Sequence, residues 1–249
     1  MGIKKRLMKS FYNMTSPLAA KFGFFPKNQF QDSKAILINR AFTYLKKNGF
    51  YPDYILDVGA NHGNWTRDTL NVFPKSNYIL IDPQAHLEKS IEDLKLRSKI
   101  SFYSIGLGNR NELLDFSINE SDDSSSFQPC DLKLEGYKFK GKVKVQMKTL
   151  NSFLEEEKLP IPDLVKIDAE GLDLEVLEGA SSIFGVTECI LVEASIHQKS
   201  FPNSLLAVMN FMDKKGYAIF DFTDLNRPFS NGLLWLVEVM FVKKESQFV

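Results

Sequence analysis

The sequence predicts an α/β domain built on a mostly parallel sheet, and three observations carry that prediction. Short, nearly continuous apolar runs recur at 54–58, 78–81, 100–105, 163–168 and 189–194, as in strands buried on both faces. Segments with apolar residues at helical spacing separate the first three of them, giving strand, helix, strand, helix, strand with short connections. The last two runs, 217–222 and 233–242, are joined by a loop containing Asn226, Pro228 and Gly232, short enough for an antiparallel hairpin.

Taken in order, residues 33–48 read as a helix. Ala35, Ile38, Phe42 and Leu45 share one face, Asp32 or Ser33 can cap the start, and Gly49 ends it. The strand at 54–58 leads through a glycine-punctuated turn into a helix over 65–73, stopped by Pro74. After the strand at 78–81, Leu87, Ile91 and Leu94 mark a second helix, followed by the strand at 100–105. From about Gly108 the rhythm changes. Leu114, Phe116 and Ile118 alternate with polar residues, SDDSSSF (121–127) is a polar loop, and Val143, Val145 and Met147 alternate with Lys142, Lys144 and Lys148. This is a β insertion over about 108–146, with a solvated lysine face. The parallel rhythm returns with DLVKID, a helix carrying Leu174, Leu177 and Phe184, and CILVEA. Leu205, Val208, Met209 and Met212 then form one helical face, ending at Lys214, Lys215 and Gly216.

Length and composition suit one such domain. The chain has 249 residues, of which 44% are hydrophobic and 25% charged, enough to bury a core without staples. The net charge is zero, so nothing in the balance points to nucleic acid. Cys130 and Cys189 are far apart and in no metal-like spacing, which argues against a disulfide framework and for a reducing, cytoplasmic setting. The opening MGIKKRLMKSFYNM has no apolar run of secretory length, PLAAKFGFF is broken by Lys21, and Arg6 breaks the myristoylation pattern. No transmembrane segment is expected. Residues 1–30 form a basic arm, with Lys4, Lys5, Arg6, Lys9, Lys21 and Lys27 and no acidic residue before Asp32. It reads either as a peripheral contact with anionic lipid or acceptor, or as a solvated terminus. The domain proper is 31–249, and its oligomeric state is left open.

The site motif is LDVGANHGNWT (56–66). In open α/β sheets a ligand sits beyond the carboxyl ends of the strands, near the point where strand order reverses. Glycines there let backbone approach a ligand, the next helix offers free N–H groups, and Asp82 at the end of the second strand can accept from both hydroxyls of a ribose. A nicotinamide dinucleotide uses a similar layout but asks for G-x-G-x-x-G around its pyrophosphate. Here the turn reads G-A-N-H-G, with Trp65 soon after. A nucleoside carrying an amino-acid tail, S-adenosyl-L-methionine, suits that turn better.

The ordered motifs DVGANHGNWT, LIDPQ, IGLGNRNELLDFSI, SSSF, LVKIDAEGLDLEVLEGA and ILVEASIH, spanning residues 55–197, resemble the FkbM-type methyltransferases. The resemblance implies a Rossmann-like class I methyltransferase fold, with a seven-stranded sheet, using S-adenosyl-L-methionine to methylate a hydroxyl of a sugar or another natural product. Asp57, Gly59, Asn61 and Gly63 correspond to the cofactor turn. Asp82 corresponds to the ribose acid, and Asp168 with Glu170 to the acidic pair after the fourth core strand. The sequence departs from the common pattern in two places: Asp82 stands where glutamate is frequent, and Ala-Ser-Ile-His follows Glu193 where a histidine usually comes at once.

Methyl transfer to an alcohol requires alignment and removal of a proton. The candidates for this chemistry are Asp168, Glu170, Glu193 and His197, all at or just beyond strand ends. Three readings stay open: a carboxylate holding the cofactor ammonium while another group, such as His197, takes the proton; a divalent metal bound by the cluster, for which no ligand set is assigned; or structural roles, with Glu170 capping a helix. His62 and Asn61 belong to the turn, 122–127 reads as either a lid or a plain loop, His86 as a surface residue, and Trp65 and Trp235 as core. The expected function is O-methylation of a small-molecule or glycan acceptor. The alternatives are a nicotinamide-dependent oxidoreductase and a non-catalytic module that keeps the cofactor fold.

Overall fold

The computed structural model of the chain describes residues 34–119, 127, 139–197, 203–229 and 231–248. The expected basic arm over 1–30, the candidate capping residues 32 and 33, Cys130, and residues 122–126 of the polar loop lie outside these.

Each continuous apolar run becomes a strand, and those of the sheet centre are covered on both faces, whereas the run at 100–105 forms a partly exposed edge strand. Helix α1 (Lys34–Lys47) precedes β1 (Tyr54–Val58), α2 (Asn64–Val72) and β2 (Asn77–Ile81). The second expected helix is a 3-10 stretch, Ala85–Ile91, that passes into the short α3 (Glu92–Lys95). Then come β3 (Ile100–Tyr103), β4 (Gly106–Leu107), β5 (Glu112–Asn119), β6 (Phe139–Lys148), α4 (Leu150–Glu156), β7 (Leu164–Ile167) and α5 (Asp173–Glu178). The chain closes with β8 (Cys189–Ser195), α6 (Leu205–Lys214), β9 (Tyr217–Asn226) and β10 (Leu236–Lys243). Helix α4 was not anticipated; Thr149 caps it, its hydroxyl accepting from Ser152 N at 3.1 Å.

The main sheet has seven strands in the order β3-β2-β1-β7-β8-β10-β9. All neighbouring pairs are parallel except those made by β10, which runs antiparallel to β8 and β9. This is the Rossmann-like class I methyltransferase arrangement, a mostly parallel sheet whose C-terminal hairpin places the last strand between its two neighbours. Alternate residues of one strand serve opposite layers. Leu56 and Val58 join Ile79, Ile81, Ile167 and Val192 on one face, whereas Ile55 joins Tyr78, Leu80, Leu164 and Leu191 on the other, beneath Phe42 and Leu45 of α1.

The insertion forms a separate three-stranded sheet, β4-β6-β5. Phe116, Val145 and Met147 are buried on its inner face, while Val143, expected there too, is exposed in the middle of β6. Of the outward lysines, Lys144 pairs with Asp115 at 2.8 Å and Lys148 with Glu156 at 2.6 Å. Among the described residues no helix is long and apolar enough to cross a membrane.

Strand order reverses between β1, which leads outward to β2 and β3, and β7, which leads to β8. The carboxyl ends of these strands deliver Gly59, Asp82, Asp168 and Glu193 to one edge of the sheet.

Candidate functional site

The turn after β1 needs its glycines for packing inside the protein. Gly59 has φ +71°, and a Cβ there would sit 1.8 Å from the carbonyl oxygen of Asp168, so the ends of β1 and β7 close up only around glycine. Gly63 has φ +73°, and its Cβ would meet Leu94 at 2.8 Å and Ile91 at 2.9 Å. Asn61, between them, also takes a positive φ of 45°. Gly59 thus clears space for a neighbouring strand end, and Gly63 for the helix after β2.

Asp82 anchors the turn. One carboxylate oxygen accepts from Asn61 N at 2.9 Å, and the other accepts from Gln84 N at 2.9 Å. Burial raises the pKa of this carboxyl, and the two N–H donors and Lys166 pull the other way. Each oxygen keeps a lone pair for a further donor, and the residue lines the cleft.

A buried ion network lies under the cleft. Lys166, on the all-buried strand β7, places its Nζ 3.2 Å from Asp57 Oδ1 and 3.2 Å from Asp168 Oδ2, and donates to Gly59 O at 2.9 Å. Burial opposes its charge, but Asp168 and Asp57 outweigh that and raise its pKa. Asp57 is fully buried and accepts from Thr66 Oγ1 at 2.6 Å. It braces β1 against α2 from below and does not line the cleft.

A second set crosses the hairpin side. Glu193 of β8 stands opposite Glu238 of β10, which stands opposite Asp224 of β9, so one row of carboxylates shares a face. Glu238 is buried, accepts from Thr223 Oγ1 at 2.6 Å, and lies 3.3 Å from Lys34 Nζ. The same ammonium, on the first turn of α1, lies 3.5 Å from Asp224. Burial works against the Lys34 charge, but Glu238, Asp168, Asp224 and Glu193 raise its pKa.

The two central carboxyls are tuned in opposite directions. Asp168 is held ionised: burial disfavours its charge, but Lys166 and Lys34 overcome it and lower its pKa. Glu193 is pushed well above the usual carboxylate range, by burial first and then by Asp168, Glu170 and Asp173.

The loop after β7 hangs on Asp173. Its carboxylate accepts from Ala169 N at 2.9 Å, Gly171 N at 3.2 Å and Asn203 Nδ2 at 2.6 Å. Burial, helped by Asp168, raises its pKa to about 7. Glu170 sits in this loop at φ 50°, exposed at the rim of the cleft, and is not the cap of α5; the N-cap position there is Leu172.

These elements enclose a cleft of about 810 Å³, within the range of small-molecule sites. Of the expected site residues, Gly59, Asn61, Asp82, Asp168, Glu170 and Glu193 line it, and Asp57, Gly63 and His197 do not. His197 leans against Trp235 instead, with ring centroids 6.2 Å apart. Trp235, expected in the core, is half-buried and lines the cleft, where Phe229 meets it edge-on. Trp65 belongs to the core, edge-on to Phe42, and also reaches the cleft wall. His86 is exposed, as expected. Sequence reasoning missed Lys34, Lys166, Asp173, Asp224 and Glu238; a lysine inside the apolar run LVKI was the one local signal.

The Methyltransferase FkbM domain model matches residues 57–219, which contain the turn, Asp82, the insertion and the strand ends just described. The chain belongs to this family. The FkbM domain brings with it S-adenosyl-L-methionine as cofactor, and the residues here fit that molecule: Asp82 keeps free lone pairs that a ribose could use, and the cleft volume lies in the range of small-molecule sites. The chain is 25% identical over 152 residues to the 2-O-methyltransferase NoeI of Sinorhizobium fredii, a match covering 57% of this chain and 63% of NoeI. The match thus spans less than two thirds of that relative. Among solved structures, the chain is similar to the N-methyltransferase NodS of Bradyrhizobium japonicum, with a TM-score of 0.47, 10% identity, and coverage of 86% of this chain and 99% of NodS. It is also similar to the magnesium protoporphyrin IX methyltransferase of Synechocystis, with a TM-score of 0.46, 9% identity, and coverage of 84% and 79%. Among the described residues no group of three or more His, Cys, Asp or Glu is arranged to hold a metal ion.

Proposed function

We propose that this FkbM-family chain is an O-methyltransferase that places a methyl group on a sugar hydroxyl of a glycan or related natural product. The observation that carries the reading is the convergence, on one cleft, of the 59–63 turn, Asp82, and two carboxyls tuned in opposite directions, Asp168 and Glu193. The name of the relative NoeI, a 2-O-methyltransferase, supports an oxygen acceptor.

The backbone of 59–61 and the Asp82 carboxylate would hold S-adenosyl-L-methionine, which supplies a methyl carbon already activated by a sulfonium. Asp168, kept anionic by Lys166 and Lys34, contributes negative charge next to a cationic ligand. Glu193 accepts the proton of the attacking hydroxyl, because a carboxylate with a raised pKa is the better base. Asp57 and Gly63 support the turn from behind without touching a ligand. His197 positions Trp235, and Glu170 shapes the rim. The domain comprises 31–249 with its insertion, and the basic arm over 1–30 is a separate element.

The test is calorimetric titration of S-adenosylmethionine and S-adenosylhomocysteine into wild type and Asp82→Ala. Loss of the ribose contacts should weaken binding by ~1–3 kcal/mol. Asp82→Asn keeps one acceptor for the turn and should fall between the two. A folded wild type that binds neither compound would sink the proposal.

A further inference from the structure

Building on that reading, we propose that the acceptor ring is a neutral or amino sugar, not an anionic one, and that Trp235 and Phe229 form the platform on which it lies. The cleft has two unlike sides at its hairpin end. One is aromatic: Trp235 and Phe229 both line the cleft while only half-buried, with ring centroids 5.3 Å apart and planes at 90°. The backbone of Trp235 is fixed from two directions, since its N–H donates to Asn226 O at 2.9 Å and its carbonyl accepts from Ile196 N at 3.0 Å. His197 supports the indole from outside the cleft. The other side is polar: Glu193, Asp224 and Asn226 offer carboxylate and amide acceptors.

A pyranose matches both sides at once. The C–H bonds on one of its faces make an apolar surface that stacks on an aromatic ring, and its hydroxyls project from the ring edge as hydrogen-bond donors. A flat aromatic acceptor would use the platform but leave the row of acceptors without donors. Charge sets the class of sugar. Asp168, Asp224 and Glu238 gather along this edge around Glu193, and with Asp57 beneath them these carboxylates outnumber the two ammonium groups, Lys34 and Lys166. Lys166 is buried with Asp57 and Asp168, and Lys34 is already within 3.5 Å of both Glu238 and Asp224. A carboxylate or phosphate on the acceptor would meet like charge, whereas an amino group would be drawn in.

The test measures binding of methyl glycosides by saturation-transfer NMR, with S-adenosylhomocysteine present. The panel holds neutral hexosides and 6-deoxyhexosides, their 2-amino counterparts and the matching uronides, with catechol as a flat comparison. At least one neutral or amino glycoside should bind, and its uronide should bind about tenfold more weakly. Trp235→Ala should weaken the glycoside about five- to tenfold, Phe229→Ala should act in the same direction, and Trp235→Phe should restore most of the affinity. S-adenosylhomocysteine affinity should hold in all three variants, which also shows that they are folded. The proposal is overturned if uronides bind best, if catechol binds and no glycoside does, or if Trp235→Ala and Phe229→Ala both leave glycoside affinity unchanged. Failure of S-adenosylhomocysteine to bind the wild type would instead overturn the methyl-transfer reading, and it is read in a separate titration.

Discussion

Asp168 and Glu193 share one cleft and one chemical group yet are set for different work. The difference lies in their neighbours: Asp168 touches the Lys166 ammonium, and Glu193 faces mainly other carboxylates. A group whose pKa is raised in the folded protein stays protonated to higher pH, so it can take up a proton only once pH has passed that raised value. If Glu193 is the base, the rate of methyl transfer should rise with pH as it ionises. Glu193→Gln should remove that rising limb and lower kcat by about 10²–10⁴. The check is a pH–rate profile of both proteins with saturating cofactor. A Glu193→Gln enzyme that keeps the rising limb would move the role to another group. Asp168→Asn should behave differently, because Asp168 is held ionised through the working range and adds no titration of its own there.

At the scale of elements, the site depends on how tightly β1 and β7 are drawn together. Two features do this: the glycine at 59, and Lys166 spanning Asp57 and Asp168 from a strand with no solvent around it. Replacing Lys166 by Met keeps the volume but leaves Asp57 buried without its cation. Removing one partner of a buried pair costs about 3–5 kcal/mol. Urea denaturation of Lys166→Met should register a loss of that order, together with weaker S-adenosylhomocysteine binding as Asp168 and the turn lose their tie. An unchanged midpoint would show that the pair is not needed for the fold. Elements of this kind explain what sequence reading could and could not see. The turn and the acid after each strand are local, and were legible. The Glu193–Glu238–Asp224 row depends on the register of three strands from distant parts of the chain, and no local pattern encodes it. Trp235 was misread because LLWLV looks uniformly apolar, although the strand begins only at Leu236 and leaves the indole just before it, lining the cleft.

For the molecule as a whole, the sheet was legible because each buried parallel strand is a local apolar run and right-handed crossovers leave few ways to order them. The short helix α4 escaped because seven residues give under two turns of periodicity. The cleft is a property of the whole assembly: β1, β2, β7 and β8 build its floor, the side sheet adds Phe116 and Leu107, the hairpin adds Trp235, and α1 adds Lys34. A ligand that fills it touches every one of these parts and should stabilise them together. At a hundred times its dissociation constant, a ligand that binds only the folded state adds about 2.7 kcal/mol. For a domain of this size each kcal/mol moves Tm by about 2–4 °C. S-adenosylhomocysteine should therefore raise Tm by about 5–11 °C at that saturation. NAD, whose pyrophosphate finds alanine and asparagine in the middle of the turn, should leave Tm nearly unmoved at equal concentration. The reverse pattern would assign the cleft to a nicotinamide cofactor. A flat response to both ligands would mean that the cleft takes neither, leaving the cofactor assignment without support.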